Sequence, residues 1–451
     1  MKIKQVLSVC LLTLLLVTFN SCKKDTIDVS QLLSTVPSSA GGVVVFNIEG
    51  MAKDAGCEIK NHIIEPGEVI KGLLEEASPT QKKDFMVLFD GSTGIEPKVA
   101  VLFYDANRTF LTVALYDEVK FTQFVESQVG TNFEDVGNGL KVCGQVAMKG
   151  GQAWLCLPTG KRLDPEGIEA YSSLSTSQSF LVTPMGEKLL TEESDIRGWA
   201  LLKTYLGQSL SRADRALASI GLDLIFENAE SVRFEADFKK GEFEAEAVIL
   251  NDKGNPAKSL LPLEKIDVKP IKELGESCQG LMAFTITPKL VKKFEEIGNS
   301  LGGGLFGNFF KELKNIDGTT AMIVSGKNLD EEEAINGVIS TKGDVSPAFK
   351  EFVSEYLGAI SIDGDKLKFT KGNVAGSLSV DKVADEIKGS CFALVVEPSE
   401  LAGLNFFKYL STGFSMVELK LKQDSGSLEV EIEAKTKSPD ENALLTILRS
   451  K

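Results

Sequence analysis

The sequence predicts an α+β fold made of two tandem, diverged copies of a mainly antiparallel sheet packed with helices. Three observations point to it. The chain has 451 residues, more than one hydrophobic core usually serves. Runs of alternating polarity, read as hairpins, are mixed with stretches whose apolar residues recur every three or four positions, a combination that favours antiparallel strands with helices laid on the sheet. The same succession of elements then returns, in the same order, beyond a proline-bearing stretch at 251–275.

The first copy is expected over 36–250. Val43 to Ile48 is a short apolar strand, followed by a helix from about Gly50. Ser78-Pro79-Thr80-Gln81 opens a further helix, with Ser78 as N-cap, Pro79 in the first turn and Gln81 closing a capping box. Lys98 to Tyr104 and Arg108 to Tyr116 form a hairpin around Asp105-Ala106-Asn107. Phe121, Phe124, Val125 and Val129 place one apolar helix face on the sheet. Strands follow at Leu140 to Cys143, Ala153 to Leu157 and Trp199 to Leu202, the last leading to a helix from about Tyr205 to Ile220. Val232, Phe234, Ala236 and Phe238 alternate with charges, turn at Lys239-Lys240-Gly241 and resume at Phe243. Residues 251–275, with Pro256, Pro262 and Pro270, read as a linker.

The second copy is expected over 276–451. Phe284-Thr285-Ile286 echoes Phe46-Asn47-Ile48, and Phe349-Lys350-Glu351-Phe352-Val353 echoes Phe121-Thr122-Gln123-Phe124-Val125. Leu367, Ala393 and Val417 begin echoes of Leu140, Ala200 and Val232. Coincidences would not keep this order, so an ancient duplication is the reading, with parts of Thr159 to Arg197 lost from the second copy. The competing description is two unrelated domains that share common strand and helix patterns. Ser438-Pro439-Asp440-Glu441 reads as a capping box opening a terminal helix that docks through Leu444, Leu445 and Leu448.

The net charge of −15 repels nucleic acid and anionic surfaces, so no nucleic-acid partner is expected. No cofactor or metal is expected either. Of seven cysteines, Cys57, Cys143, Cys156, Cys278 and Cys391 lie in the body, without metal-type spacing and mostly in apolar runs where a thiol acts as a small hydrophobe. Cys143 and Cys156 could also pair across strands. His62 is the single histidine, and no G-x-S-x-G accompanies it, so it reads as a surface or structural residue. Gly302 to Gly307 has dinucleotide-loop spacing but follows a helix, and reads as a break between helices. Asp252-Lys253-Gly254, Asp363-Gly364-Asp365 and Asp424-Ser425-Gly426 read as turns, lacking a full calcium loop, and Asp330 to Glu333 as a solvated acidic edge. Leu305, Phe306, Phe309 and Phe310 are a candidate partner patch, or else core. Two Trp and six Tyr against 26 Phe suit core filling better than sugar stacking.

At the N-terminus, Lys2 and Lys4 precede an apolar run from Val6 to Val17, then Ser21-Cys22. The run is too short to span a bilayer and resembles a bacterial lipoprotein signal, with 1–21 removed and Cys22 lipidated. The alternative is ordinary cleavage leaving a free Cys22. Cleavage removes two lysines and no acid, so the mature charge becomes −17. Residues 22–35 read as a tether, in which Lys24-Asp25-Thr26 lacks the second acid of a surface-export signal, so periplasmic and cell-surface faces of the outer membrane both stay open. With the opening Val36-Pro37-Ser38-Ser39-Ala40 and the Phe121 and Phe349 helices, the chain resembles a family of uncharacterised Bacteroidetes cell-envelope lipoproteins built on a domain of unknown function. The resemblance implies a lipid-anchored, non-enzymatic envelope protein binding a protein partner or ligand. The alternatives are a solute- or glycan-binding lipoprotein and a carboxylate-dependent glycan hydrolase.

Overall fold

The computed structural model describes residues 29–76, 78, 82, 86, 89–105, 108–157, 165–203, 222–300, 313–326, 334–398 and 413–449. The chain divides into two compact units, residues 1–204 with 233–240, and residues 205–232 with 241–451. Both are α+β with antiparallel sheets.

In the first unit, helix α1 (Val29–Ser34) precedes strand β1 (Gly42–Asn47) and helix α2 (Ile48–Asp54). A small hairpin, β2 (Glu58–Lys60) and β3 (Ile63–Glu65), leads to α3 (Glu68–Glu76). The long hairpin expected from the sequence follows as β4 (Ile95–Asp105) and β5 (Arg108–Leu115), but its register pairs Asp105 with Arg108, so Asp105 belongs to the strand and not to the turn. Helix α4 (Glu118–Val129) is capped by Asp117, whose carboxylate accepts from the amides of Val119 and Lys120. It ends at Gly130 in the left-handed region, φ +78°. Phe121 and Val125 of α4 bury against Cys143, Met148 and Ala153. A meander of β6 (Glu134–Gly137), β7 (Leu140–Cys143), β8 (Val146–Lys149) and β9 (Gln152–Leu157) comes next, then α5 (Pro165–Ser172), α6 (Pro184–Thr191) and β10 (Ile196–Leu201). After β11 (Phe226–Glu227) runs β12 (Ala229–Phe238), which belongs to this unit from Arg233 on. The spatial order is β6-β7-β8-β9-β5-β4-β1-β10-β12.

The second unit contains β13 (Glu242–Asn251), β14 (Lys258–Ser259), α7 (Lys269–Lys272), β15 (Ser277–Cys278), β16 (Gly280–Ile286) and α8 (Pro288–Ser300). Beyond them lie β17 (Ile316–Ser325), β18 (Ala334–Thr341), α9 (Pro347–Tyr356), β19 (Ala359–Asp363), β20 (Lys366–Lys371), β21 (Leu378–Ser379) and α10 (Val380–Glu386). The unit closes with β22 (Ser390–Val396), β23 (Phe414–Asp424), β24 (Ser427–Thr436) and α11 (Ala443–Arg449). Its order is β19-β20-β18-β17-β16-β22-β23-β24-β13. Two cores flank its central strands, one under α7 and α10 around Ile271, Ile323, Val383 and Val395, the other under α9 around Phe349, Val353, Leu367 and Phe369.

Three expectations need correction. Residues 29–34 of the expected tether are helical, because Leu32 and Leu33 are an apolar pair that buries completely. The expected linker 251–275 runs as β14 and α7 and buries Ala257, Ile266 and Ile271, so its prolines mark turns within a packed segment. The terminal helix begins at Ala443 rather than Ser438, since Asn442 Oδ1 accepts from the amide of Leu444 and supplies the cap. The helices expected from Ser78 and from Tyr205 fall largely or wholly outside the described residues.

Each unit sets a phenylalanine ring across a strand glycine. A Cβ at Gly198 of β10 would overlap Phe234 of β12, and a Cβ at Gly337 of β18 would overlap Phe369, its direct partner on β20. Phe369 is buried and cannot swing out. Gly337→Ala should therefore cost about 1–3 kcal/mol through overpacking, measured by urea denaturation; an unchanged midpoint would show that the ring yields freely.

Candidate functional site

Cys22, the candidate patch Leu305, Phe306, Phe309 and Phe310, the Gly302 to Gly307 stretch and Asp330 to Glu333 all lie outside the described residues. His62 is described. Asn61 and His62 form the two-residue turn between β2 and β3, both at positive φ (+53° and +64°), the signature of a type I′ hairpin. That turn lays the imidazole flat on Tyr116, with centroids 4.4 Å apart and planes 7° from parallel, while Nδ1 meets the buried Glu96 carboxylate at 2.7 Å. Tyr116 in turn donates to the Gly91 carbonyl, and Lys120 Nζ donates to its hydroxyl at 3.2 Å. His62 is thus a stacked, hydrogen-bonded structural residue.

The first unit gathers acids where β10 begins. The Asp195 amide donates to Asp237 Oδ1 at 2.9 Å, and Asp195 Oδ2 accepts from the Phe238 amide at 2.8 Å. Its carboxyl also bonds to that of Asp54, at the end of α2. Burial, then the neighbouring charges of Asp54 and Asp237, outweigh the Phe238 amide and push Asp195 up to about 7. Burial raises the pKa of Asp54 as well. Two acids in contact share a proton. Glycoside hydrolysis instead needs carboxyls about 5 Å apart or more, with the sugar or a water between them. Next to the pair, buried Arg197 donates to the carbonyls of Leu189 (2.5 Å) and Ser194 (3.1 Å), which fixes the approach of α6 to β10.

The second unit holds a mixed network on β23 and β24. The register sets Glu418 opposite Glu433 and Lys420 opposite Glu431, so two carboxylates face each other and lysines must balance them diagonally. Lys420 Nζ lies 3.0 Å from Glu433, 3.4 Å from Glu418 and 3.7 Å from Glu431. Lys435 reaches Glu386 of α10 at 2.6 Å and Glu418 at 3.6 Å. Burial opposes charge on Lys420, but Glu433 and Glu418 more than offset it and its pKa rises. Glu418 is completely buried, and neither carboxyl oxygen has a hydrogen-bond partner among the described residues. Burial and the Glu386 carboxyl push it up to about 7 against the pull of Lys420.

Neither tryptophan offers an open platform: Trp154 is buried, and the partly covered Trp199 packs on Phe180 at 5.5 Å between centroids. All five body thiols are free and buried; β8 separates the strands of Cys143 and Cys156, and Cys143 Sγ turns to the Thr131 carbonyl. The Asp363 and Asp424 stretches are hairpin turns. Among the described residues no three His, Cys, Asp or Glu side chains converge with metal-site geometry, and no helix is long and apolar enough to cross a membrane.

No family model and no curated protein matches the chain. Among solved structures it is similar to TP0453 in crystal form I, at 10% identity over 80% of this chain and 97% of that one, with a TM-score of 0.26. It is also similar to TP0453 in crystal form III, at 11% identity over 81% and 98%, with a TM-score of 0.24. Scores of this size carry no argument about function.

In the second unit a hollow of about 370 Å³ opens beside the β19–β20 turn, lined among others by Val345, Ile362, Leu367, Asp344 and Asp365. The sequence flagged Asp363 to Asp365 only as a turn. The hollow depends on Val345 and Thr341, brought beside that turn by β18–β20 pairing, which no local pattern announces.

Proposed function

We propose that this chain is a lipid-anchored protein of the bacterial cell envelope, held at the outer membrane through acyl chains on Cys22. Its duplicated α+β body binds a protein partner or ligand without catalysing a reaction, as the resemblance to Bacteroidetes envelope lipoproteins implies. The observation that carries the anchor is the run from Lys2 through Val17 to Ser21-Cys22. The duplication draws support from topology. In each unit a central strand, β1 or β16, lies between the next long strand, β4 or β17, and a late strand, β10 or β22. The segment before that central strand bonds to the segment before the late helix: the Phe180 amide donates to the Val36 carbonyl, and the Val380 amide to that of Glu276. One element departs from the sequence alignment, because β20 occupies the sheet position of β9 and not of β7, the strand that carries Leu140.

Binding without chemistry fits a body in which Asp195 is engaged with Asp54 and His62 with Glu96. The glycan-binding alternative draws no support from its covered tryptophans, nor the hydrolase from its touching acids. Cys22→Ser should abolish incorporation of an alkyne-tagged fatty acid and move the protein to the soluble fraction. Persistence in the membrane, or continued labelling, would overturn the anchor.

A further inference from the structure

We propose that the β19 edge of the second unit, with the hollow beside it, captures an extended basic peptide of a partner protein by adding it as a further strand. This deepens the binding reading above and rests on it.

Among the described residues β19 pairs only with β20, so its other side is an open sheet edge. The turn fixes which backbone groups face out. Gly364-Asp365 is a two-residue loop with Gly364 at φ +59°, the type II′ arrangement, so Asp363 and Lys366 exchange the hydrogen bonds that close it. In an antiparallel ladder bonded and non-bonded pairs alternate. Ser361/Lys368 and Ala359/Thr370 are then the bonded pairs, while Ile360 and Ile362 turn their N–H and C=O groups away from β20. Those outward groups are what an added strand pairs with.

Side chains beside the edge supply specificity. Ile362 is 60% exposed, and on the flank of α9 Phe352 and Tyr356 are 44% and 61% exposed, their rings 5.0 Å apart. Such residues are a liability on a free edge and an asset on a recognition one. The hollow, lined by Val345, Ile362 and Leu367, takes an apolar side chain of the incoming strand. Of its other lining residues, Asp344 and Asp365 have no ion-pair partner among the described residues, whereas Asp363 is paired with Lys368 at 2.8 Å. Unpaired acids around an apolar seat call for lysine or arginine flanking an apolar residue. A second copy of this chain fits poorly: it would bring the same acids and a net charge of −15 to the same edge.

The test uses the full-length chain in detergent and two fluorescein-labelled heptapeptides, Thr-Lys-Val-Thr-Val-Lys-Thr and the same peptide with Glu for Lys, read by anisotropy. The basic peptide should bind about tenfold or more tightly than the acidic one. Ile362→Pro removes one outward N–H at an edge position that tolerates proline, and should weaken binding by about tenfold while leaving the thermal midpoint unchanged. The double change Asp344→Asn with Asp365→Asn keeps the backbone and should erase the preference for the basic peptide. Equal binding of the two peptides, no binding, or binding indifferent to Ile362→Pro in a folded chain would overturn the proposal. A dimer in sedimentation that Ile362→Pro dissociates would do the same, by giving the edge to a second copy. Any of these leaves the anchor to be judged by its own fractionation test.

Discussion

Lys420→Met is expected to cost about 3–5 kcal/mol of stability at pH 8, because it removes the buried cation around which three carboxylates are arranged. Glu433, Glu418 and Glu431 lie 3.0, 3.4 and 3.7 Å from its Nζ. Without Lys420, Glu418 and Glu433 face each other across paired strands with Lys435 as the nearest cation. The methionine stem can refill the volume, so the loss is electrostatic. Urea titrations at pH 8 and pH 5 would measure it, and the cost should shrink at pH 5, where Glu418 carries its proton. A cost below about 1 kcal/mol at pH 8, typical of an exposed pair, would show that the network is solvated.

Asp195→Asn should remove a pH dependence from the first unit. The carboxyl holds its proton more tightly folded than unfolded, about 7 against 3.8. Its stabilising contribution is therefore complete below 3.8 and is lost as the pH climbs to about 7. Asparagine imitates the protonated acid: its oxygen accepts from the Phe238 amide and its NH2 donates to Asp54. The variant should match the parent near pH 4 and exceed it by about 2–4 kcal/mol at pH 8. Parallel stability curves from pH 4 to pH 8 would refute the assignment.

These sites are the part of the molecule that local patterns conceal. The strands around Val43 and Phe284, and the helices whose faces bury Phe121 with Val125 and Phe349 with Val353, were legible because the apolar pattern reports burial. β6 was not, since all four of its residues are exposed and it shows no alternation. Val417 reads as the start of a strand echoing Val232, whose apolar residues alternate with charges, yet the charged Glu418 next to it is completely buried: what covers a residue comes from distant segments. Asp54 ends α2, Asp195 precedes β10 and Asp237 lies on β12, and nothing in their spacing announces that the sheet gathers them. Prolines at 256, 262 and 270 misled in the opposite direction, because a proline marks a bend without saying whether the bend is packed.

In the envelope location proposed for the chain, the burial of the five thiols bears on how it endures oxidation. An odd number of cysteines invites mispairing wherever disulfides form readily. Here burial raises the pKa of Cys57, Cys156, Cys278 and Cys391, which keeps them from the thiolate form that oxidants and other thiols attack. Protection of these five thiols comes from the same apolar packing that holds the sheets together, so they meet oxidants only while the chain is being made or when it opens. In the proposed envelope location, folding ahead of oxidation, rather than a pairing code among these cysteines, is then what would keep them reduced.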